Sequence, residues 1–201
     1  SSLTEINFNA TNMSDLSSDK YVFSNAGRDG EGITVNIGAN VTRIPAYLFN
    51  PSSNASYSPN ITTVNFAESS QCTEIGERAF RGCSSLTSIT IPDSVTSIGS
   101  SAFNECISLT SVTIGEGVTS IGNSAFSDCS SLTNVTIGEG VTSIGDYAFY
   151  ACSGLTSVTI ESNYVYANAG TGYNQCGYLL ENATEVRVLT SCIGDSTNSY
   201  L

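Results

Sequence analysis

Histidine is absent from all 201 residues, which removes the usual general base of a nucleophile triad and the commonest zinc ligand. Positive charge is almost as scarce. Six Lys and Arg stand against 18 Asp and Glu, a formal net charge of −12, and such a field repels phosphate backbones and anionic lipid, so nucleic acid is excluded as a partner. No run of 18 or more apolar residues occurs, and no basic stretch leads into a short apolar one, so no membrane insertion by this segment is expected. Residue 1 is Ser rather than Met, which suggests a chain trimmed at its start. Phosphate loops, dinucleotide fingerprints and Gly-x-Ser-x-Gly elbows are all missing, so the expectation is of a chain that is not an enzyme and takes no cofactor.

What the sequence has in abundance is Ser, Thr and Asn, with only 12% of residues charged. Hydroxyl and amide groups keep this surface wet without the side-chain entropy that Lys or Glu would lose. The second abundance is self-similarity. Phe80, Phe103, Phe126 and Phe149 recur every 23 residues, as do Cys83, Cys106, Cys129 and Cys152, and Leu86, Leu109, Leu132 and Leu155. A fixed period of this length is the signature of a solenoid.

Each unit contains Leu-x-x-Val-x-Ile, as at Leu109, Val112 and Ile114, with the period-two alternation of a strand. After a Gly-Glu-Gly turn, whose glycines would supply positive φ, a second short strand is expected over Val118–Ile121. Phe126 and Cys129 then stand three apart, the spacing of one face of a short helical turn. Taking the central strand residue as marker, eight coils fall at Ile6, Val35, Val64, Ile89, Val112, Val135, Val158 and Val186. The coil between Phe49 and Ile61 is stretched by a polar loop bounded by Pro51 and Pro59, and Cys72 takes the place of Val95, Val118 and Val141. A lone coil buries too little to offset the ordering of its 23 backbones, so the coils must stack into one elongated body.

The motif Ile-Gly-x-x-Ala-Phe-x-x-Cys-x-x-Leu-Thr-Ser-Val-Thr-Ile resembles the BspA-type leucine-rich repeat, also called the Treponema pallidum type. The likeness is close over residues 68–160 and looser at 1–67 and 161–201. It implies an α/β repeat solenoid: a leucine-rich-repeat right-handed superhelix with a parallel β-sheet, short second strands and short helices or 3-10 turns. One domain over 1–201 is expected, with divergent N-terminal coils (1–67), regular repeats (68–160) and an irregular C-terminal cap (161–201). The resemblance further implies a cell-surface or secreted location and adhesion to host matrix proteins or to other cells.

Candidate binding residues come from stacking the strands. The positions flanking the buried Val point outward, aligning Ser88, Ser111, Asn134 and Ser157 in one row and Thr90, Thr113, Thr136 and Thr159 in another. Differences between the copies concentrate around the Phe, from Glu77 and Arg78 to Asp146, Tyr147 and Tyr150. Tyr147 and Tyr150 join the candidates because exposed aromatics favour interfaces. The implied partner is a protein, such as an extracellular-matrix or cell-surface glycoprotein, or a glycan; the alternative is a structural spacer with no ligand of its own.

Other motifs carry less chemistry. The cysteines at 23-residue spacing form a core ladder of free thiols, without the paired spacing of a metal site, and no metal is expected. Cys176 and Cys192 fall outside the repeat, where a bridge within the cap is an option. Asn-x-Ser/Thr sequons stand at Asn9, Asn12, Asn40, Asn54, Asn60, Asn134 and Asn182. Asp93, Glu116 and Glu139 follow successive strands and read as solvated turn residues rather than a calcium row.

Overall fold

The computed structural model describes residues 3–51, 58–162 and 185–188. Most of the loop between Pro51 and Pro59 lies outside these residues, as do most of the C-terminal cap, Cys176, Cys192 and the sequons at Asn54 and Asn182.

The apolar/polar alternation of each unit produces the main strands, labelled here in chain order: β1 (Glu5–Phe8), β2 (Ile33–Ile37), β4 (Ile61–Phe66), β6 (Ser88–Ile91), β8 (Ser111–Ile114), β10 (Asn134–Ile137), β12 (Ser157–Ile160) and β13 (Glu185–Val188). All pair in parallel. One sheet runs β1-β2-β4 and a second runs β6-β8-β10-β12-β13, with β6 lying against β4. The register aligns Ile6 with Val35, Val35 with Val64, then Ile89, Val112, Val135, Val158 and Val186 in sequence. The eight expected coil markers thus sit in the strands in the order expected. One core cluster of buried residues runs from Ile6 to Ile160.

The second strands are shorter than the expected four residues: β3 (Arg43–Ile44), β5 (Glu74–Ile75), β7 (Ser97–Ile98), β9 (Ser120–Ile121) and β11 (Ser143–Ile144), again parallel. Val118 is buried ahead of its strand. The Gly-Glu-Gly glycines also act differently from expectation. Neither Gly115 nor Gly117 has positive φ. A Cβ on Gly117 would lie 1.8 Å from the carbonyl oxygen of Asp93 in the coil before, so this glycine serves close approach between coils.

The expected helical turn is the main correction, because no helix occurs among the described residues. Ser101 and Glu105 hold φ of 55° and 62°, as do Ser124 and Asp128, and left-handed residues at that spacing interrupt any helix. What forms instead is a third hydrogen-bonded side, here the turn face. Alternate N–H groups, those of Ser101, Phe103 and Glu105, donate to Asn123, Ala125 and Ser127 of the next coil at 2.8–3.0 Å. Those between, on Ala102, Asn104 and Cys106, close local turns on Gly99, Ser101 and Phe103. Phe126 and Cys129 are still both buried, so the inference about their shared face survives the loss of the helix.

The phenylalanines stack directly behind this side. Centroids of Phe80, Phe103, Phe126 and Phe149 are 5.2–5.3 Å apart with interplanar angles of 4°, 2° and 10°. Each coil is therefore nearly a pure translation of the last. Phe49 and Phe23 extend the stack toward the N-terminus at 21° and 32°.

Candidate functional site

Strand sterics send Ser88, Ser111, Asn134 and Ser157 outward in one row and Thr90, Thr113, Thr136 and Thr159 in the next, each aligned with its neighbour across β6, β8, β10 and β12. Ser88, Thr90, Thr113 and Asn134 are exposed and the other four are half-buried. Among the described residues, the hydroxyls of Ser88, Thr90, Ser111, Thr113, Thr136, Ser157 and Thr159 make no hydrogen bond to the protein. The amide of Asn134 donates to Thr133 Oγ1 at 2.8 Å.

A second set of threonines is committed to the fold. Thr110 and Thr133 hydroxyls donate to the carbonyls of Thr87 and Thr110 at 2.9 and 3.0 Å. Just before the short strands β5, β7, β9 and β11, Thr73, Thr96, Thr119 and Thr142 donate to the carbonyls of Thr42, Thr73, Thr96 and Thr119 at 3.0–3.1 Å. Hydroxyls that tie coil to coil are thus separated from hydroxyls left to solvent, a distinction that residue type alone cannot reveal.

The strand face continues where sequence reasoning did not follow it. Asn7, Asn36 and Asn65 occupy the row of Thr90 in the first three coils, linked by amide hydrogen bonds of 3.0 and 3.1 Å. Asn36 also donates to Glu5 at 2.7 Å. Counting one residue past each coil marker would have revealed this ladder. At the other end Arg187 and Glu185 align with Thr159 and Ser157 and pair with each other at 2.8 Å. Between the two charged ends the face carries no ionisable side chain from β6 to β12.

Tyr147 and Tyr150 are not on this face. They lie on the turn face, and the structure does not bring them together with the Ser and Thr rows. Most of the side chains that differ between copies are there too. Arg81 reaches Glu105 at 2.8 Å and Asn104 at 3.1 Å, and Asn104 reaches Asp128 at 3.2 Å. Tyr47 donates to Glu77 at 2.8 Å, which raises its phenol above its ordinary pKa, and Arg78 lies over the Tyr47 ring.

Among the described residues, the thiols of Cys72, Cys83, Cys106, Cys129 and Cys152 are buried and free. Burial pushes Cys106 up to about 12 and Cys83 well above the ordinary thiol value. Cys129 is raised by its hydrogen bond with Cys152 and by burial. Beyond the apolar packing expected, Cys106, Cys129 and Cys152 donate to the carbonyls of Phe80, Phe103 and Phe126 at 3.2–3.3 Å. Cys83, Cys106 and Cys129, held this far from thiolate, are poor nucleophiles. Asp93 Oδ1 accepts the Glu116 N–H at 2.9 Å, so the first carboxylate of the acidic row braces the following turn.

Comparison with known proteins agrees with this architecture. Residues 52–176 match the BspA type leucine-rich repeat region in six copies. A leucine-rich repeat protein of T. pallidum aligns at 28% identity and a TM-score of 0.62, over 79% of this chain and 70% of that one. A leucine-rich repeat protein from Eubacterium ventriosum aligns at 24% and 0.44, over 67% of this chain and 43% of its own. A leucine-rich cell surface protein from Faecalibacterium prausnitzii aligns at 24% and 0.32, over 84% and 63%. The chain thus spans less than two thirds of the last two. No curated protein matches the sequence. On the strength of the repeat match over more than half its length, the chain belongs to the BspA type leucine-rich repeat family.

Proposed function

We propose that this chain is a protein-binding, adhesive module of a cell-surface or secreted repeat protein, acting as one repeat domain over residues 1–201. Its strand face engages an extracellular-matrix or cell-surface glycoprotein, with the protein or its glycan as the contacted group. The observation supporting this function is the array of uncommitted hydroxyls at Ser88, Thr90, Ser111, Thr113, Thr136, Ser157 and Thr159, beside Thr110 and Thr133, whose hydroxyls are engaged between coils. Such groups both donate and accept, and short side chains lose little entropy on contact, so a backbone or polyol can be met without a desolvated charge.

The test is binding of immobilised matrix proteins, mucins and glycans by the parent chain and by the Thr113→Lys/Thr136→Lys variant. Saturable binding at micromolar protein is expected, and the two lysines should abolish it by placing long charged chains across an uncharged plane. Absence of saturable binding across the panel, or unchanged binding by the variant, removes the support for this function. The second function is a structural spacer, favoured by the near-translational stacking of Phe80, Phe103 and Phe126. A spacer leaves cell attachment indifferent to the lysines.

A further inference from the structure

Strand β1 is the outer strand of its sheet and pairs with β2 alone. The Thr34 N–H donates to the Thr4 carbonyl at 3.0 Å and the Gly38 N–H to the Phe8 carbonyl at 2.9 Å, so the even-numbered residues of β1 turn their backbone groups to β2. The alternation of a parallel ladder sends those of Glu5 and Asn7 to the open edge. Among the described residues, nothing there bonds to them. The side chains are directed in the same way. Asn7 Oδ1 accepts the Asn36 amide at 3.0 Å on the β2 side, which turns the Asn7 amide nitrogen outward with no acceptor among the described residues. Glu5 accepts Asn36 at 2.7 Å through one oxygen, and its other oxygen has no partner among those residues. Apolar positions of the first coil are uncovered too. The leucine three residues before the coil marker is fully buried at Leu86, Leu109 and Leu132, whereas Leu3 in that place is 44% exposed. Ala102 and Ala125 before the stacked Phe are fully buried, whereas Val22 before Phe23 is 56% exposed.

We propose that the open edge of β1 pairs antiparallel with β1 of a second copy of this chain, across a two-fold axis at Ile6. In that register Glu5 of each copy lies opposite Asn7 of the other, and each such pair exchanges two main-chain hydrogen bonds. Side chains of directly opposed residues share a face, so the outward amide of Asn7 meets the spare carboxylate oxygen of Glu5 on both sides of the axis. The edge is thus complementary to itself. A slip that sets Glu5 against Glu5 opposes two carboxylates, and β1 spans only Glu5–Phe8, so the two-fold register at Ile6 is the one that engages both outward residues. A charged residue on an edge strand ordinarily repels a further strand. Here the opposed donor admits one partner and leaves that repulsion in force for others. The product is one sheet running from β4 of one copy through both β1 strands to β4 of the other, which presents two strand faces together and raises avidity for any repeated ligand. Strand-face lysines at Thr113 and Thr136 lie on β8 and β10, away from this edge, so the two proposals fail independently.

The test follows the intact chain by sedimentation equilibrium from micromolar to millimolar protein, with amide hydrogen exchange read residue by residue. The mass should rise from 21.0 kDa toward twice that value, and the Glu5 and Asn7 amides should gain protection with concentration while Ile6, already bonded to β2, gains none. Added salt should tighten the dimer, because it screens two chains of net charge −12 from each other. Asn7→Pro removes an outward N–H that β2 does not use, which an edge strand tolerates, and should raise the dimer Kd by about tenfold or more. A chain that stays monomeric at millimolar protein overturns the proposal, as does a dimer whose Glu5 and Asn7 amides stay unprotected or one that Asn7→Pro leaves unchanged. Protection of those amides by an unrelated extended peptide, with no self-association, assigns the edge to a foreign strand and also overturns it. Should the proline variant fail to fold, unprotected Glu5 and Asn7 amides in the parent chain at millimolar concentration overturn it alone.

Discussion

The coils from Phe80 to Phe149 and those before Phe66 solve the same stacking problem in different ways. In the regular region, partners stand 23 residues apart and the rings lie within 10° of parallel. In the N-terminal region, Ile6, Val35 and Val64 are 29 apart yet keep the strand register, and the rings tilt by 21° and 32°. The extra residues leave by the loops. There, specific polar links do what repetition does later: Asp15 binds Arg43 at 2.8 Å and the Ala46 N–H at 2.7 Å, and the Asn7–Asn36–Asn65 ladder crosses the strands. Copying a coil reproduces every contact at once, whereas a coil of altered length needs its own braces.

The sharpest way to break this comparison is to remove one ring from each region. Phe126→Ala empties a fully buried site between two stacked neighbours and should cost about 3–5 kcal/mol in urea denaturation. Phe23, half-buried at the end of the stack, should cost roughly half as much; equal losses would show that the stack is not end-weighted. Next in size is a pair at the boundary of the regions. Gly117→Ser drives a side chain onto the Asp93 carbonyl and should cost about 1–3 kcal/mol. Ser94 holds the same place one coil earlier, where the preceding turn is two residues longer, and its hydroxyl is buried without a partner. Ser94→Gly should therefore be neutral or stabilising, and a loss matching that of Gly117→Ser would refute the crowding argument.

A thiol exchange is milder. Ala26 stands in the first coil where cysteines stand later, its N–H closing the same turn on Phe23. Cys106→Ala should cost on the order of 1–2 kcal/mol, for one lost sulfur and one lost hydrogen bond. Cys83, Cys106 and Cys129 of the intact chain should resist thiol reagents at neutral pH until denatured, read by mass mapping of the labelled residues.

Smallest is the Asp15 brace. The Ala46 N–H and then Arg43 lower its pKa, so the stabilisation is present above the unfolded value of about 3.9 and is lost as pH falls through the folded value. Because the carboxylate is about half exposed, Asp15→Asn should cost only about 0.2–1 kcal/mol at pH 7. Parent and variant should converge in denaturation curves below that window, and a constant difference down to the lowest pH would remove the charge from the explanation.

Strand register, the ladders of Phe, Cys and Leu, and the outward rows of Ser and Thr were legible in the sequence, because a 23-residue period forces like residues into like environments. Phe23 was not legible. It sits ten residues before its strand, with no matching motif around it, and only packing against Phe49 reveals its place. The turn face was misjudged because the spacing of Phe126 and Cys129 fits a helix and an alternating turn equally well; Ser124 and Asp128 show no compositional sign of positive φ.

By itself, then, the order of residues determined that this chain repeats, which side chains it buries and how its strands align, since burial and alternation are local and recur with the period. The tertiary structure alone decided which backbone groups reach the next coil, which glycines are squeezed by a carbonyl, which threonine hydroxyls stay uncommitted and that Tyr147 meets Tyr150 at a right angle. Those outcomes depend on distances between neighbouring coils and on the torsions of single residues, and neither leaves a trace in periodicity.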